Sequence, residues 1–339
     1  LLVRSVTRVD AALLAGTPVR FVGSATAGVD HIDQEWLAAN GITFASAPGS
    51  NARAVAEYVL AVVLHYAQRR GCPPETLSVA IVGCGHAGGE VLALLGALGI
   101  TCRPVDPPRA RLLSDRPYEA LDAVLDCDVL TLHTPLTVAG PDATRDLLNA
   151  ARLAVMKPGA LLINAARGGI VDELALAPRA ADGSLVAALD CWCDEPAISS
   201  GLLGSAAIAT PHIAGHTVDA KARGTAMIHA ALVAQLAAGA AHNGAALLPA
   251  CEQLAVAAPG PDGDPWSALR AAVSACYDVA RDSERLKTAA AAAAPAEVFD
   301  RCRGDRRRRE FSACRIQRHV HDATDHLVRT AGFKFEHDD

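Results

Sequence analysis

Three polar side chains stand just past short apolar runs. Arg167 follows ALLINAA, Glu195 closes LVAALDCWCDEP and His212 follows IATP. A single histidine or arginine in such a place is more often structural than catalytic. The three together match what hydride removal from a 2-hydroxy acid needs: a cation for the carboxylate, a base for the hydroxyl proton and an acid to orient that base. A second constellation lies upstream. Gly83, Gly85 and Gly88 in VAIVGCGHAGGEV form G-x-G-x-x-G between a strand and a helix, the context a dinucleotide turn requires. Asp106 follows the next strand, placed to accept from ribose hydroxyls and to repel a 2′-phosphate, so NAD is expected over NADP.

These groups need a scaffold that brings strand ends together. From Ser78 to His212 the runs SVAIVG, ITCRPVD, DVLTLHTP, ALLINAA, LVAALDCW and AAIATPH recur every 20 to 30 residues, the beat of βαβ units. Val91, Leu94, Leu95 and Leu98 mark one face of a covering helix. The pattern predicts a Rossmann-type doubly wound parallel sheet. Before it, FVGSATAG, HIDQEWLAANG and ITFASAP read as a strand, helix and strand, and AVAEYVLAVVLHYAQRR as a long apolar helix. DAKARGTAMIHAALVAQLAAG reads as a helix running back, so the nucleotide-type unit is inserted in a smaller α/β domain. The tail reads as a small α+β unit: a strand at QLAVAA, one helix over WSALRAAVSACYDVARDSERLK, a helix end or loop at Ala289–Ala294, then a strand at FSACRIQ and a helix at DATDHLVRTAG.

Composition removes whole classes. Of 339 residues, 51% are hydrophobic and 20% charged, a globular balance. A net charge of -6 gives no footprint for nucleic acid, and no apolar run approaches the ~20 residues of a membrane span. The Arg306–Arg309 run reads as a solvated face. The ten cysteines show no CxxC pair or His-partnered spacing, so reduced cytoplasmic thiols are expected and no metal site. Cys191 and Cys193 read as same-face core residues of a strand. The chain opens on Leu1 with the strand-like LLVRSVT and no leader before it, which reads as a processed chain or a fragment.

INAARGGIVDELAL, LDCWCDEP and TPHIAGHT resemble the signatures of the D-isomer-specific 2-hydroxyacid dehydrogenases. VRSVT, FVGSATAGVDHID, APGSNARAVAEYVL, DPPRA, LHTPL and HIAGHT are similar, in order, to the branch that oxidises 4-phospho-D-erythronate in vitamin B6 biosynthesis. LLPA, CYDVARD and RRREFSACRI resemble that branch's C-terminal dimerisation domain. The resemblance implies a substrate-binding, flavodoxin-like domain over 1–57 and 217–245, an NAD-binding domain over 58–216 and a dimerisation domain over 247–339, hence a homodimer. It makes Arg167, Glu195 and His212 catalytic. It places NAD on Gly83, Gly85, Gly88, Asp106, Thr134, Ala165, Ala166, Arg167, Asp190 and Gly215, and the substrate, a phosphorylated 2-hydroxy acid, on Ser5, Thr26 and His216. Two departures stand out. Relatives carry a tyrosine where this chain has His216, and they begin with a strand and helix ahead of VRSVT, so the first domain is expected to expose a sheet edge and lose stability. Activity on phosphoglycerate or hydroxypyruvate, or a non-catalytic NAD-binding fragment, are the alternative readings.

Overall fold

The computed structural model describes residues 1–113, 116–236, 248–256, 264–304, 308–316, 322–336 and 338. At the N-terminus β1 (Leu2–Val3), α1 (Ala11–Leu14), β2 (Phe21–Ser24), α2 (Gln34–Ala39) and β3 (Thr43–Ala45) build a parallel sheet in the order β1-β2-β3. Aspartates start both helices: Asp10 accepts from the Ala12 and Leu13 N–H groups and Asp33 from that of Trp36. Val3, Val9, Leu14, Val22, Ile32 and Leu37 fill the small core between them. LLVRSVT is strand for less of its length than its composition suggests. Pairing ends at Val3, opposite Ser24, and Arg4 and Ser5 leave the sheet.

The long Gly- and Pro-free run is α3 (Ala52–Arg70), and Ala54 through Leu64 are all buried. A helix apolar on every side belongs in a core. It stops at Gly71, whose φ of 63° is the left-handed cap that glycine adopts without a Cβ penalty. Beyond it come β4 (Ser78–Val82), α4 (His86–Ala97), β5 (Thr101–Val105), α5 (Pro107–Leu112), β6 (Val129–Leu132), α6 (Ala150–Val155), β7 (Ala160–Asn164), α7 (Glu173–Ala181), β8 (Leu185–Leu189), α8 (Ser200–Ser205) and β9 (Ile208–Ala209). The six strands form one parallel sheet, β5-β4-β6-β7-β8-β9. β6 and β7 are buried at every position because helices cover both faces. Val91, Leu94 and Leu95 of α4 are buried and Leu98 follows at its end, as their spacing predicts. Chain order reverses between β4 and β6, and open α/β sheets bind ligands in the crevice at such a point. α9 (Val218–Gln235) then returns to the first sheet, where Ile228 packs with Phe21.

The tail contains β10 (Glu252–Leu254), α10 (Pro265–Cys276), α11 (Val279–Ala292), α12 (Pro295–Gly304), β11 (Cys314–Ile316), α13 (Asp322–Thr330) and β12 (Lys334–Phe335), with a parallel sheet in the order β10-β11-β12. The single helix expected from Trp266 is two. Tyr277 is extended (φ -151°, ψ 105°) and Asp278 restarts the helix by accepting from the Ala280 and Arg281 N–H groups. The alanine tract ends α11, as expected. The boundary expected near 245–247, and part of the turn before α10, lie outside the described residues.

The arginine run is not a solvated face where it is described. Arg308 is 7% and Arg309 3% exposed. Arg308 donates to the Ala54 carbonyl at 2.8 Å and lies over the Tyr277 ring at 4.0 Å. Arg309 forks onto Asp219 of α9 at 3.0 Å, and the Glu310 N–H donates to the same carboxylate at 2.9 Å. Local charge density misled because the groups that accept from these arginines, the Ala54 carbonyl and the Asp219 carboxylate, sit 254 and 90 residues away in sequence. Arg309→Met leaves the buried Asp219 without its cation. It is expected to cost about 3–5 kcal/mol, read as a lower urea midpoint; a loss below about 1 kcal/mol would show that the pair does not hold the tail in place.

Candidate active site

The ends of β7, β8 and β9 meet the first sheet's loops in a cleft of about 420 Å³. Arg167, Glu195 and His212 line it together, with Ser5, Thr26, Ala165, Ala166, Asp190, Gly215 and His216. The remaining expected nucleotide residues gather apart, at the β4–β6 crevice.

His212 faces Glu195 across 2.8 Å, from Nδ1 to Oε2, and the second Glu195 oxygen accepts from the Trp192 N–H at 2.8 Å. The carboxylate is thus fixed at one end and orients the ring with the other, leaving Nε2 for chemistry. Burial opposes charge on the imidazole, yet the Cys191 sulfur and Glu195 raise the His212 pKa well above 6.5. Burial also pushes the Cys191 thiol up, and its S–H donates to the Ala166 carbonyl. A neutral thiol carries no charge to stabilise imidazolium, so Glu195 does that work.

His212 itself has φ 54°, a left-handed conformation that costs a non-glycine residue on the order of 1–3 kcal/mol. Asp190 holds it there. Its carboxylate accepts from Thr210 Oγ1 (2.7 Å) and from the Ile213 and Ala214 N–H groups (2.7 and 2.9 Å), and the Tyr58 hydroxyl of α3 reaches Thr210 at 2.8 Å. Asp190, expected from sequence as an NAD contact, lines the cleft, and its described partners make it a clamp on the histidine loop. Tyr58 and Thr210 carried no signal in the sequence beyond filling an apolar helix and a strand end.

Arg167 rests on a turn that only glycine permits. A Cβ on Gly168 would lie 1.9 Å from the Trp192 carbonyl oxygen, and the Asn164 amide donates to the Arg167 carbonyl at 2.8 Å. The guanidinium reaches across the cleft to Asp30, with Nη2 at 2.9 Å. Gly28 leaves the space it occupies, since a Cβ there would meet Nη2 at 2.0 Å. Thr26 shapes that loop by donating to the Gly28 carbonyl at 2.8 Å. Neither Asp30 nor Gly28 was singled out from sequence.

A family model described as "D-isomer specific 2-hydroxyacid dehydrogenase, NAD binding domain" matches residues 54–214, and a second, described as a domain of unknown function, matches 247–330. Erythronate-4-phosphate dehydrogenase of Marinobacter nauticus is 43% identical over 324 residues, covering 94% of this chain and 84% of that one. The Klebsiella pneumoniae enzyme of the same name is 42% identical over 340 residues, covering 99% and 88%. The chain belongs to the erythronate-4-phosphate dehydrogenase family. Among solved structures, D-lactate dehydrogenase from Aquifex aeolicus, complexed with NAD and lactic acid, shares the fold with a TM-score of 0.58 at 23% identity, over 70% of this chain and 82% of that one.

As a member of the erythronate-4-phosphate dehydrogenase family the chain is an NAD-dependent dehydrogenase, and its glycine-rich turn fits the cofactor. Gly83 has φ 86° and no room for a Cβ, with the His133 carbonyl carbon at 2.8 Å. A Cβ on Gly88 would fall 1.8 Å from the Gly83 carbonyl oxygen, whereas Gly85, which caps α4, faces open space. The first glycine makes the turn, the third lets helix and strand touch, and the second leaves backbone bare for a pyrophosphate. Thr134 Oγ1 is buried with no partner among the described residues, a hydroxyl ready for a ligand. Asp106 sits at the end of β5 but is less free than its position implied. It accepts from the Cys84 N–H at 2.8 Å and caps α5 through the Arg109 N–H at 3.0 Å. Asp106→Ser keeps a capping oxygen and removes the charge. It is therefore expected to narrow the preference for NAD over NADP, measured as the ratio of kcat/KM values; an unchanged ratio would assign the preference elsewhere.

Cys191 and Cys193 are not on a strand, since β8 ends at Leu189. Cys191 Sγ, Glu195 and His212 lie within 4.8 Å of one another, a metal-like grouping that the sequence spacing concealed. Glu195 and His212 are already hydrogen-bonded to each other and the thiol to Ala166, so the described contacts are those of an acid–base pair beside a packed cysteine.

Proposed function

We propose that this chain oxidises 4-phospho-D-erythronate to (R)-3-hydroxy-2-oxo-4-phosphooxybutanoate in pyridoxal 5′-phosphate biosynthesis, using Arg167, Glu195 and His212. The observation that carries the reading is the Glu195–His212 pair at 2.8 Å facing Arg167 in one cleft. NAD, held at the glycine turn, Asp106 and Thr134, supplies the hydride acceptor for C2. His212 in its neutral form takes the C2 hydroxyl proton at Nε2, and Glu195 stabilises the imidazolium that results. Arg167 holds the carboxylate and the oxygen that becomes the ketone, a pairing its planar fork suits. Ser5 and Thr26 border the substrate.

Turnover of purified protein with 4-phospho-D-erythronate beside 3-phospho-D-glycerate, followed as NADH, tests the assignment. Faster turnover of phosphoglycerate would move the protein to the neighbouring activity. Homodimerisation through the tail and a cytoplasmic location complete the reading. The ten free cysteines suit a reducing compartment, and no described helix is long and apolar enough to cross a membrane. Deletion of residues from 247 onward is expected to abolish dimers in sedimentation; a full-length chain monomeric at micromolar concentration refutes the dimer.

A further inference from the structure

Three cations that the catalytic scheme does not use enter the cleft from three directions. Arg4 follows β1, Lys221 lies in the first turn of α9, and Arg303 lies in the last turn of α12, in the tail. None of the three is paired with a carboxylate among the described residues, although arginines elsewhere in the chain commonly are. Arg303 Nε is buried without a partner, and its Nη2 lies 3.5 Å from His216 Nε2, whose other ring nitrogen is likewise buried and unpaired. These groups feel one another. Burial and then the charges of Arg4 and Arg303 hold the Lys221 pKa down; burial and then Arg303, Lys221, His212 and Arg4 push His216 to about 3. At neutral pH His216 is therefore a neutral imidazole, able to accept from Arg303 and keep it turned into the cleft.

Like charges gathered in a partly dry cleft oppose folding unless an anion completes them. We propose that Arg4, Lys221 and Arg303 form the seat for the substrate's phosphate, so that the C-terminal unit supplies one wall of the active site. This rests on the reading of the substrate as a phosphorylated 2-hydroxy acid and adds to it the groups that recognise the phosphate. Arg167 takes the carboxylate at the end of β7, His212 the C2 hydroxyl, and the cations beside His216, four residues further along, the far end of a four-carbon chain. A dianion suits three donors that otherwise repel one another, and a neutral far end leaves them uncompensated. The arrangement also gives the tail a chemical task in addition to assembly.

Arg303→Met and Arg303→Lys, in the full-length protein with NAD, test the proposal through two readouts. The first is the ratio of kcat/KM for 4-phospho-D-erythronate to that for D-erythronate. Loss of a charge-assisted contact is expected to lower this ratio by about tenfold or more in Arg303→Met, with partial recovery in Arg303→Lys. An equal fall for both acids would make Arg303 a structural residue, and an unchanged ratio would place the phosphate elsewhere; either overturns the proposal. The second readout needs no turnover. Inorganic phosphate is expected to raise the melting temperature of the parent and to raise that of Arg303→Met much less. Equal shifts overturn the phosphate seat. A parent that responds to phosphate but does not oxidise 4-phospho-D-erythronate overturns the assigned reaction and leaves the seat standing.

Discussion

His212→Ala is expected to lower kcat by about 10² to 10⁴ while the Kd for NAD stays near that of the parent, because the imidazole acts on a proton and makes no described contact with the glycine turn. A variant keeping more than about a tenth of parent turnover would remove His212 as the main base. The pH profile separates its role from that of Glu195. The Glu195 carboxylate raises the His212 pKa in the free protein, so the neutral form needed to accept a proton grows as pH rises. Oxidation, read as kcat/KM, should therefore climb with pH through that pKa, and the reverse reduction should fall over the same window. Glu195→Gln removes the carboxylate that stabilises imidazolium and keeps a group able to bond Nδ1. Its oxidation midpoint should move to lower pH, with a lower maximal rate because the charged intermediate form is less stable. A midpoint that does not move would show that Glu195 only packs against the ring.

The sequence exposed what is local. Six apolar runs at βαβ spacing became six strands, and the three glycines of the turn have the environments their order implied: a positive φ, an open face and a backbone contact. Arg167, Glu195 and His212 were legible because strand ends in a parallel sheet converge whatever the residues between them. What was hidden depends on long-range contacts. Arg308 and Arg309 look solvated until the Ala54 carbonyl of α3 and the Asp219 carboxylate of α9 are brought to them, and Asp30 looks like a loop aspartate until Arg167 reaches across the cleft. Arg4, Lys221 and Arg303 lie in a strand exit, a first helical turn and a last helical turn. No spacing rule links the three, so only the folded chain shows them together.

Arg167→Lys is expected to lower kcat/KM by about 10² to 10³, the usual effect of losing an aligned donor at a developing oxyanion. Lysine keeps the charge but presents a flexible point charge in place of a planar fork, so a fall of this size would assign the effect to geometry. Asp30 tests whether the guanidinium is free to leave its present partner. Asp30 is 66% exposed, and pairs of that kind contribute about 0–1 kcal/mol, so a substrate carboxylate can displace it at little cost. Asp30→Asn should accordingly change KM by no more than about fivefold, against the far larger effect at Arg167. Gly28→Ala approaches the same guanidinium without altering it. The added methyl would contend with the mobile end of a long side chain and not with backbone, so the fold should tolerate it and the melting temperature should hold. Turnover should nevertheless fall, because the fork moves off the line between the carboxylate and the reacting oxygen, and small misplacements of a positioned group are costly in rate. Full activity in Gly28→Ala would mean that the fork reaches its working position only after leaving the place it occupies beside Gly28, and that the Asp30 contact belongs to a resting arrangement of the cleft.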